Sequence, residues 1–246
     1  MYQFFVEPSQ IQGSKIVITG GDVNHIKNVL RMKAGEEIAV SNGADGKEYR
    51  CDIEQITEEE IICTVRLVKE DSAELPSKIY LFQGLPKADK MELIIQKAIE
   101  LGVYEIIPVA SKRAVVRLDE KKAKSKQIRW QGIAEAAAKQ SKRGIIPEIK
   151  QVMSMKEAVS YAVSCADVRL IPYELAEDMA KTKEVINGIK SGDSVAVFIG
   201  PEGGFEESEI AEAIAENIIP ITLGKRILRT ETAGLTVLSW LMYHLE

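Results

Sequence analysis

Residues 195–234 read VAVFIGPEGGFEESEIAEAIAENIIPITLGKRILRTETAG. The stretch opens with Val195–Ile199, an unbroken apolar run whose length and β-branched content predict a fully buried strand. Residues 200–204 (GPEGG) predict a tight loop, because glycine tolerates backbone torsions that other residues avoid and lets a ligand approach bare main chain. Acidic residues at 206–209 then suit the first turn of a helix, where they oppose the positive end of its dipole.

A second strand and loop follow in the same order. Residues 218–223 predict another buried strand, residues 224–226 (GKR) its exit loop, and residues 229–233 (RTETA) the start of a last helix. Two strands therefore end in glycine loops at one edge of a sheet, where open α/β sheets bind their ligands. Two plain alternatives stay open: GPEGG as an ordinary strand-to-helix turn, and Thr230 as a simple N-cap of the last helix.

These motifs carry a resemblance. FIGPEGGF followed by LGKRILRTETAGL resembles the C-terminal signature of the SPOUT-class RNA methyltransferases, and more narrowly that of the RsmE family, which methylates N3 of a uridine in 16S ribosomal RNA. The resemblance implies an α/β fold: a SPOUT-type parallel sheet with a C-terminal trefoil knot, preceded by a small PUA-like β-barrel domain. It also implies S-adenosyl-L-methionine as the cofactor and a homodimer as the assembly.

The resemblance assigns roles to residues of the C-terminal half. A guanidinium over a uracil carbonyl stabilises the anion left when N3 loses its proton, and this is the role expected of Arg229. Glu231 is the second catalytic candidate, as a general base; Glu202 and direct proton loss to water stay open for that step. The expected cofactor contacts are Ile171, Pro172, Ile199, Gly200, Pro201, Glu202, Gly203, Gly204, Leu223, Gly224, Ile227, Leu228 and Thr232.

Positive charge is concentrated in residues 112–150, which hold 12 Lys and Arg against 4 Asp and Glu, a balance of +8 in a chain of net charge −5. Such asymmetry is expected of a surface that contacts phosphates, and the alternative is a solvated helix face. Residues 134–144 (AEAAAKQSKRG) resemble the AAxQSxR motif of the RsmE family, against the alternative of helix-end cations. The candidate RNA contacts in this half of the chain are Arg113 after the second strand, Gln140, Ser141 and Arg143 in this motif, and Arg226 in the GKR loop.

The first 70 residues predict short strands with one helix, which begins after Asp22 as its N-cap. HIKNVLRMKAGEEIAV (residues 25–40) resembles the core of the PUA-like domain, and it makes His25 and Arg31 candidate RNA contacts; a plain surface histidine is the alternative for His25. Residues 69–77 are polar and predict a linker, after which strands and helices alternate as in a parallel sheet. We therefore expect a PUA-like RNA-binding domain at 1–72 and a SPOUT methyltransferase domain at 73–246.

Composition narrows the class of function. The 246 residues include three scattered cysteines without a CxxC pair and only two histidines, so a metal site is not expected and a reducing cytoplasm suits the chain. No apolar run predicts a membrane span or a leader. The open alternatives are a SPOUT methyltransferase for a ribose 2′-hydroxyl or a guanine, and an RNA-binding module without catalysis. A dinucleotide-binding or P-loop enzyme is disfavoured, because neither glycine motif is present.

Overall fold

The computed structural model describes residues 1–70, 73–174, 176 and 178–246. The chain forms two compact units: unit 1 contains Met1–Glu74 and Ala138–Ile146, and unit 2 contains Leu75–Ala137 and Pro147–Glu246. The expected domain boundary at residue 72, and residues 71 and 72 of the expected linker, lie outside the described residues. Residues 138–146, which the sequence places in the second domain, group with unit 1.

Unit 1 is built on a six-stranded sheet. Its strands are β1 (Gln3–Phe5), β2 (Ile11–Gln12), β3 (Lys15–Thr19), β4 (Glu37–Ser41), β5 (Glu48–Ile56) and β6 (Glu60–Lys69), in the order β1-β4-β5-β6-β3-β2. All pairs are antiparallel except β1 with β4. Alternating side chains such as Ile16 and Ile18 are fully buried, as expected for strands with one face on a core.

The helix of unit 1 starts earlier than the sequence indicates. Helix α1 (Gly21–Asn24) is capped by Gly20 and continues as a π-helical turn, His25–Val29. Asp22 is therefore not the N-cap: it lies in the first turn, where its carboxylate pairs with the ammonium of Lys139 at 3.2 Å.

Unit 2 is built on a parallel sheet, as predicted. Its strands are β7 (Ile79–Gly84), β8 (Glu105–Ala110), β9 (Glu148–Ile149), β10 (Met153–Ser154), β11 (Val168–Pro172), β12 (Val195–Ile199) and β13 (Ile219–Ile221). The order is β10-β8-β7-β12-β11-β13, with β9 also paired to β8. Its helices are α2 (Lys90–Glu100), α3 (Glu120–Ser141, of which residues 138–141 group with unit 1), α4 (Met155–Cys165), α5 (Met179–Gly188), α6 (Glu207–Ala215) and α7 (Thr230–Leu245). The two-residue strands β9 and β10 are not evident from the sequence, because they are too short to show a period.

Burial explains why the central strands read as continuous apolar runs. Every residue of β7 and β12 is buried, and the rings of Phe82 and Phe198 stack across the two strands with centroids 4.4 Å apart. Helices cover both faces of such a sheet, so alternation is lost. Among the described residues, no helix is long and apolar enough to cross a membrane.

The strand register brings several carboxyl ends to one edge of the sheet. The last residue of β12, Ile199, is paired with Gln83 near the end of β7, and the last residue of β11, Pro172, is paired with Ile221 at the end of β13. The loops that leave these strands therefore meet at this edge.

Candidate active site

A cleft of about 1100 Å³ opens at the carboxyl edge of the sheet of unit 2. The loops after β11, β12 and β13 and the first turn of α7 form its walls. The cleft includes most of the cofactor contacts predicted from the resemblance: Pro172, Ile199, Gly200, Pro201, Glu202, Gly203, Gly204, Leu223, Gly224, Ile227 and Leu228. Two predicted contacts are not in its wall, since Ile171 belongs to the hydrophobic core and Thr232 is exposed on α7.

The GPEGG loop folds back on itself against the end of β7. The amide of Gly204 donates a hydrogen bond of 2.9 Å to the carbonyl of Pro201, and Gly204 has φ of +67°, a conformation that suits glycine. A Cβ atom at Gly84 would lie 2.5 Å from Cδ of Pro201, so no side chain fits there. The loop is therefore held by close contact between backbones.

A buried chain of hydrogen bonds joins this loop to the last helix. The Thr230 hydroxyl donates to the carbonyl of Gly200 at 2.6 Å and accepts from the side-chain amide of Gln83 at 2.9 Å. The N-cap of α7 is Arg229, and Thr230 is the first helical residue. The alternative of Thr230 as a simple N-cap is therefore wrong, because its hydroxyl binds the glycine loop instead.

One lysine links two carboxylates of the site. The ammonium of Lys90, in the first turn of α2, lies 2.9 Å from Glu202 and 3.5 Å from Glu231. Burial opposes the charged form of Glu202, but hydrogen bonds from Lys90 and the main chain outweigh it and hold the pKa of this carboxyl below its usual range. The hydrogen bond to Glu202 in turn raises the pKa of Lys90. Both groups are therefore charged at neutral pH.

Two arginines after β13 also belong to the cleft. Arg226 and Arg229 both line the cleft, and both are exposed. Ile227 between them is 95% exposed, although it is apolar. The lining of the cleft therefore includes two exposed cations as well as the pair Lys90–Glu202.

The loop after β8 also reaches this site. The guanidinium of Arg113 donates to the carbonyl of Gly203 at 3.4 Å, and Lys112 pairs with Glu206 at 3.0 Å. The buried carboxylate of Glu209 accepts from the amide of Lys112 at 2.8 Å and from the amide of Glu206 at 2.9 Å. These bonds place Arg113 beside the glycine loop, next to the cleft.

The remaining RNA candidates lie in unit 1. His25, Arg31 and Gln140 are exposed, and the Ser141 hydroxyl donates to the carbonyl of Ala138 at 3.5 Å. Arg143 differs, because it is 3% exposed and its guanidinium is bound to the carboxylate of Glu74, with Nε 3.1 Å from Oε2. An RNA contact would require this pair to break, so the structure gives Arg143 a structural place and we do not retain it as an RNA contact.

Several other cations of the basic segment are also paired. Arg129 binds Glu92, Lys139 binds Asp22, Lys122 binds Asp119 and Lys150 binds Glu148. The excess of positive charge over residues 112–150 therefore overstates the charge that is free to meet phosphate. Among the described residues no ion pair is recorded for Lys121, Lys124, Lys126 or Lys142.

Several residues that build the site are absent from the sequence prediction. Gln83 is the single polar residue in the otherwise apolar strand IYLFQG, which is a signal that a buried amide has a specific partner. Lys90 looks like an ordinary helical surface residue, and nothing in its local sequence indicates that a loop more than 100 positions away supplies its partner. Tyr173 and Met179 also line the cleft.

Comparison with known proteins identifies the family. The family model of the RNA methyltransferase domain matches residues 73–242, and that of the RNA methyltransferase PUA domain matches residues 18–66. The chain belongs to the RNA methyltransferase family. Among the residues described, no group of three or more His, Cys, Asp or Glu is arranged to hold a metal ion.

Relatives cover the chain from end to end. It is 36% identical to ribosomal RNA small subunit methyltransferase E of Bacillus subtilis over 100% of the chain and 98% of that protein. A methyltransferase from Legionella pneumophila, solved with bound SAM, superposes with a TM-score of 0.84 at 31% identity, over 98% of this chain and 97% of that one. Ribosomal RNA small subunit methyltransferase E from Neisseria gonorrhoeae, bound to S-adenosyl methionine, gives 0.82 at 29% identity, over 97% and 95%. The resemblance to the RsmE family is confirmed.

Proposed function

We propose that this protein is an S-adenosyl-L-methionine-dependent methyltransferase that acts on N3 of a uridine in 16S ribosomal RNA. The observation that carries the proposal is the glycine-loop cleft at the carboxyl edge of a parallel sheet, in a chain related throughout to small-subunit rRNA methyltransferases. A cytoplasmic location, where small subunits are assembled, follows from this activity.

The residues of the cleft fit the cofactor. Its volume is slightly above the range of about 300–1000 Å³ that is usual for small-molecule sites, and Pro172, Ile199 and Leu228 supply apolar walls for an adenine ring. The backbone of residues 202 and 203 is exposed for hydrogen bonds to a ligand, and the carboxylate of Glu202 complements a cation. When bound, S-adenosyl-L-methionine supplies a methyl group already activated by a sulfonium, so the remaining difficulty is the acceptor.

The acceptor nitrogen must lose a proton before it can attack. Arg229 stabilises the negative charge on the uracil ring through a carbonyl oxygen, and its exposure leaves the guanidinium free to reach the base. Glu231 or Glu202 takes the proton, or the proton passes to water. Lys90 pairs with both carboxylates, of which Glu202 lies in the wall of the cleft and Glu231 in the first turn of α7, so it positions whichever one acts.

RNA recognition is divided between the two expected domains. We assign the PUA-like domain (residues 1–72) to RNA binding through His25 and Arg31, and the methyltransferase domain (residues 73–246) to catalysis, with Arg113 and Arg226 beside the cleft. Gln140 and Ser141 at the end of α3 supply further contacts. The exposure of His25, Arg31 and Gln140 supports these assignments.

The trefoil knot belongs to this proposal. Strand β13 lies beyond β11, yet α7 returns to pack against α2 and β12. Residues 222–229 must therefore cross the carboxyl ends of β11 and β12, which supports a chain threaded at this place.

We also propose a homodimer. The buried face of α7 includes Val237, Leu238 and Leu241, whereas Leu235, Trp240 and Met242 are only partly covered and Tyr243 is 88% exposed. A second copy that covers this apolar face would explain its composition. Light scattering of the purified protein, with a Tyr243→Glu variant, measures the subunit number directly.

Nucleoside mass spectrometry tests the activity. Small-subunit RNA from cells that lack the protein should lack 3-methyluridine, and re-expression should restore it. Loss of a ribose-methylated or guanine-methylated nucleoside instead would retain the family and overturn the proposed position. No change in any methylated nucleoside would favour an RNA-binding module without catalysis.

A further inference from the structure

A second cavity, of about 230 Å³, lies between the loop after β7, the loop after β8 and helix α3. Its apolar walls include Leu85, Met91, Leu118 and the indole of Trp130. Volumes of this size are below those of sites for drug-sized ligands and suit a single flat heterocycle. Among the described residues, none that lines the cofactor cleft also lines this cavity.

This cavity is next to the proposed methyl-transfer cleft. The segment 85–92 forms one wall of the cavity, and from the same segment the amide of Lys87 and the ammonium of Lys90 bind Glu202 in the wall of the cleft, at 3.2 and 2.9 Å. One stretch of chain, residues 85–92, therefore lies between the cavity and the cleft. Neighbouring nucleotides of one RNA strand are therefore the occupants that two sites with a common dividing segment suggest.

Polar groups in the wall are arranged for a heterocycle. Trp130 is 3% exposed, and within the part of the chain that the structure describes its indole N–H has no hydrogen-bond partner. Such a buried donor requires an explanation. Glu92 also lines the cavity, and Arg129 holds its carboxylate, with Nη2 3.0 Å from Oε2. The carboxylate keeps acceptor capacity beyond this pair, since two oxygens offer about four lone-pair sites.

Charge around the cavity favours nucleic acid over an apolar peptide. Lys126 is in the wall, and Lys121 and Lys124 precede it on α3. Within the described part of the chain, neither of these two lysines forms an ion pair. Ammonium groups beside a flat apolar slot provide phosphate contacts and base stacking together, which is how sites for single-stranded nucleic acid are built.

We propose that this cavity, on the basis of the function proposed above, receives a second, unstacked nucleobase of the RNA substrate, adjacent to the uridine in the cleft. The base carries an exocyclic amino group that donates to Glu92 and an acceptor that pairs with the indole N–H of Trp130. Trp130, Glu92 and Lys126 are thus specificity-determining residues for a flanking nucleotide.

A cavity-filling substitution tests the site. Val116 lines the cavity, whereas the adjacent Val115 does not and is 67% exposed, so Val116→Phe and Val115→Phe form a matched pair. With small ribosomal subunits from cells that lack the enzyme, Val116→Phe should raise KM for the subunit about tenfold, the effect of one lost stacking contact. The dissociation constant for S-adenosyl-L-methionine should not change. Equal KM values for the two variants would overturn the proposal.

Fluorescence gives a readout that does not depend on turnover. The chain has two tryptophans, so Trp240→Phe leaves Trp130 as the single emitter. Octanucleotides of cytidylate or adenylate should quench Trp130, oligouridylate should quench it less, and Val116→Phe should abolish the response. Quenching that is unaffected by Val116→Phe, or that is equal for all three oligonucleotides, would contradict a base-specific site.

The two proposals fail in different ways. If the native protein transfers no methyl group to small subunits but Trp130 still responds to oligonucleotides through Val116, the methylation proposal fails and the base site stands. If the protein methylates small subunits and Val116→Phe behaves like Val115→Phe, the methylation proposal stands and the base site is wrong.

Discussion

The ammonium of Lys90 lies between two carboxylates that would otherwise repel each other, that of Glu202 in the wall of the cleft and that of Glu231 in the first turn of α7. Glu202 is also held by the amide of Lys87, so its position depends on the start of α2 as well as on its own loop. Lys90 therefore sets the geometry of groups that belong to two distant parts of the chain.

Lys90→Met should weaken cofactor binding several-fold at neutral pH, because Glu202 and Glu231 lose their shared counter-charge and move apart. Calorimetric titration with S-adenosyl-L-methionine measures this. Lys87→Met is the matched control, since only the main chain of Lys87 binds Glu202. Similar losses in both variants would show that general positive charge, rather than the bridge, is responsible.

The same pair has a defined pH window. The pKa of Glu202 lies below its ordinary value of 4.5, so the stability it contributes is lost as pH falls through the lowered pKa. The pKa of Lys90 lies above 10.5, so its contribution is lost as pH rises through the raised pKa. Cofactor affinity of the native protein should therefore not vary through this pair around neutral pH. In Lys90→Met the affinity should fall as the solution is made acidic, because Glu202 no longer has the ammonium that favours its charged form.

Arg229→Ala should lower kcat by about 100-fold or more, the effect of removing one group that stabilises a developing anion. The dissociation constant for the cofactor should stay within about twofold, because the guanidinium is exposed and is assigned to the base. Single-turnover methylation and calorimetry separate the two quantities. Arg226→Ala is the control for loss of a cation from the same loop, and equal losses of rate and affinity in Arg229→Ala would assign it a cofactor role.

At the scale of elements, helix α7 completes the site that β12 begins. Its first residue bonds to Gly200 and Gln83, and its buried side chains pack towards α2 and β12. The carbonyl of Gly200 therefore has a fixed direction only when α7 is in place.

Thr230→Val should destabilise the protein by about 1–3 kcal/mol, since it leaves the Gln83 amide and the Gly200 carbonyl without their buried partner. Cofactor affinity should fall as well, because the loop is no longer fixed. Thr230→Ser keeps the hydroxyl and should restore affinity even if it leaves a small cavity. If Thr230→Val binds the cofactor normally, the hydrogen-bond chain serves stability alone.

The elements differ in how well their sequence predicts them. Val195–Ile199 and Ile79–Gly84 read as buried strands because helices cover both faces of the sheet, and their glycine loops indicate the ligand edge. The partner of Lys90 and the hydroxyl bond of Thr230 join segments more than 25 residues apart, and local patterns carry no record of such pairs. Arg143 belongs to the motif at residues 134–144 that predicts RNA contacts, yet the fold buries it. The local sequence therefore also fails to indicate which of its polar side chains are exposed.

For the whole molecule, the most revealing pair is Glu74 with Arg143. The carboxylate accepts from the guanidinium and from the amide of Gly144 at 3.0 Å, and it joins the end of the first chain segment of unit 1 to the segment that returns at residues 138–146. No composition or periodicity predicts that these segments meet.

Glu74→Gln should destabilise the protein by about 2–3 kcal/mol, because it replaces the carboxylate that binds the buried guanidinium of Arg143 and the amide of Gly144 with a neutral amide. Urea unfolding measures the loss. Glu70→Gln is the control: its partner is Lys47 and its side chain is 79% exposed, so a change below about 1 kcal/mol is expected. A small loss in Glu74→Gln would mean that water reaches Arg143.

The bond between Thr230 and Gly200 also has a consequence for protein synthesis. The glycine loop is made first, but the hydroxyl that fixes it belongs to α7, the last helix in the chain. A nascent polypeptide that ends before residue 230 therefore has no finished pocket, however well its other strands are folded. Products that terminate before residue 230 should therefore lack methyltransferase activity, because the residue that fixes the glycine loop is missing from them.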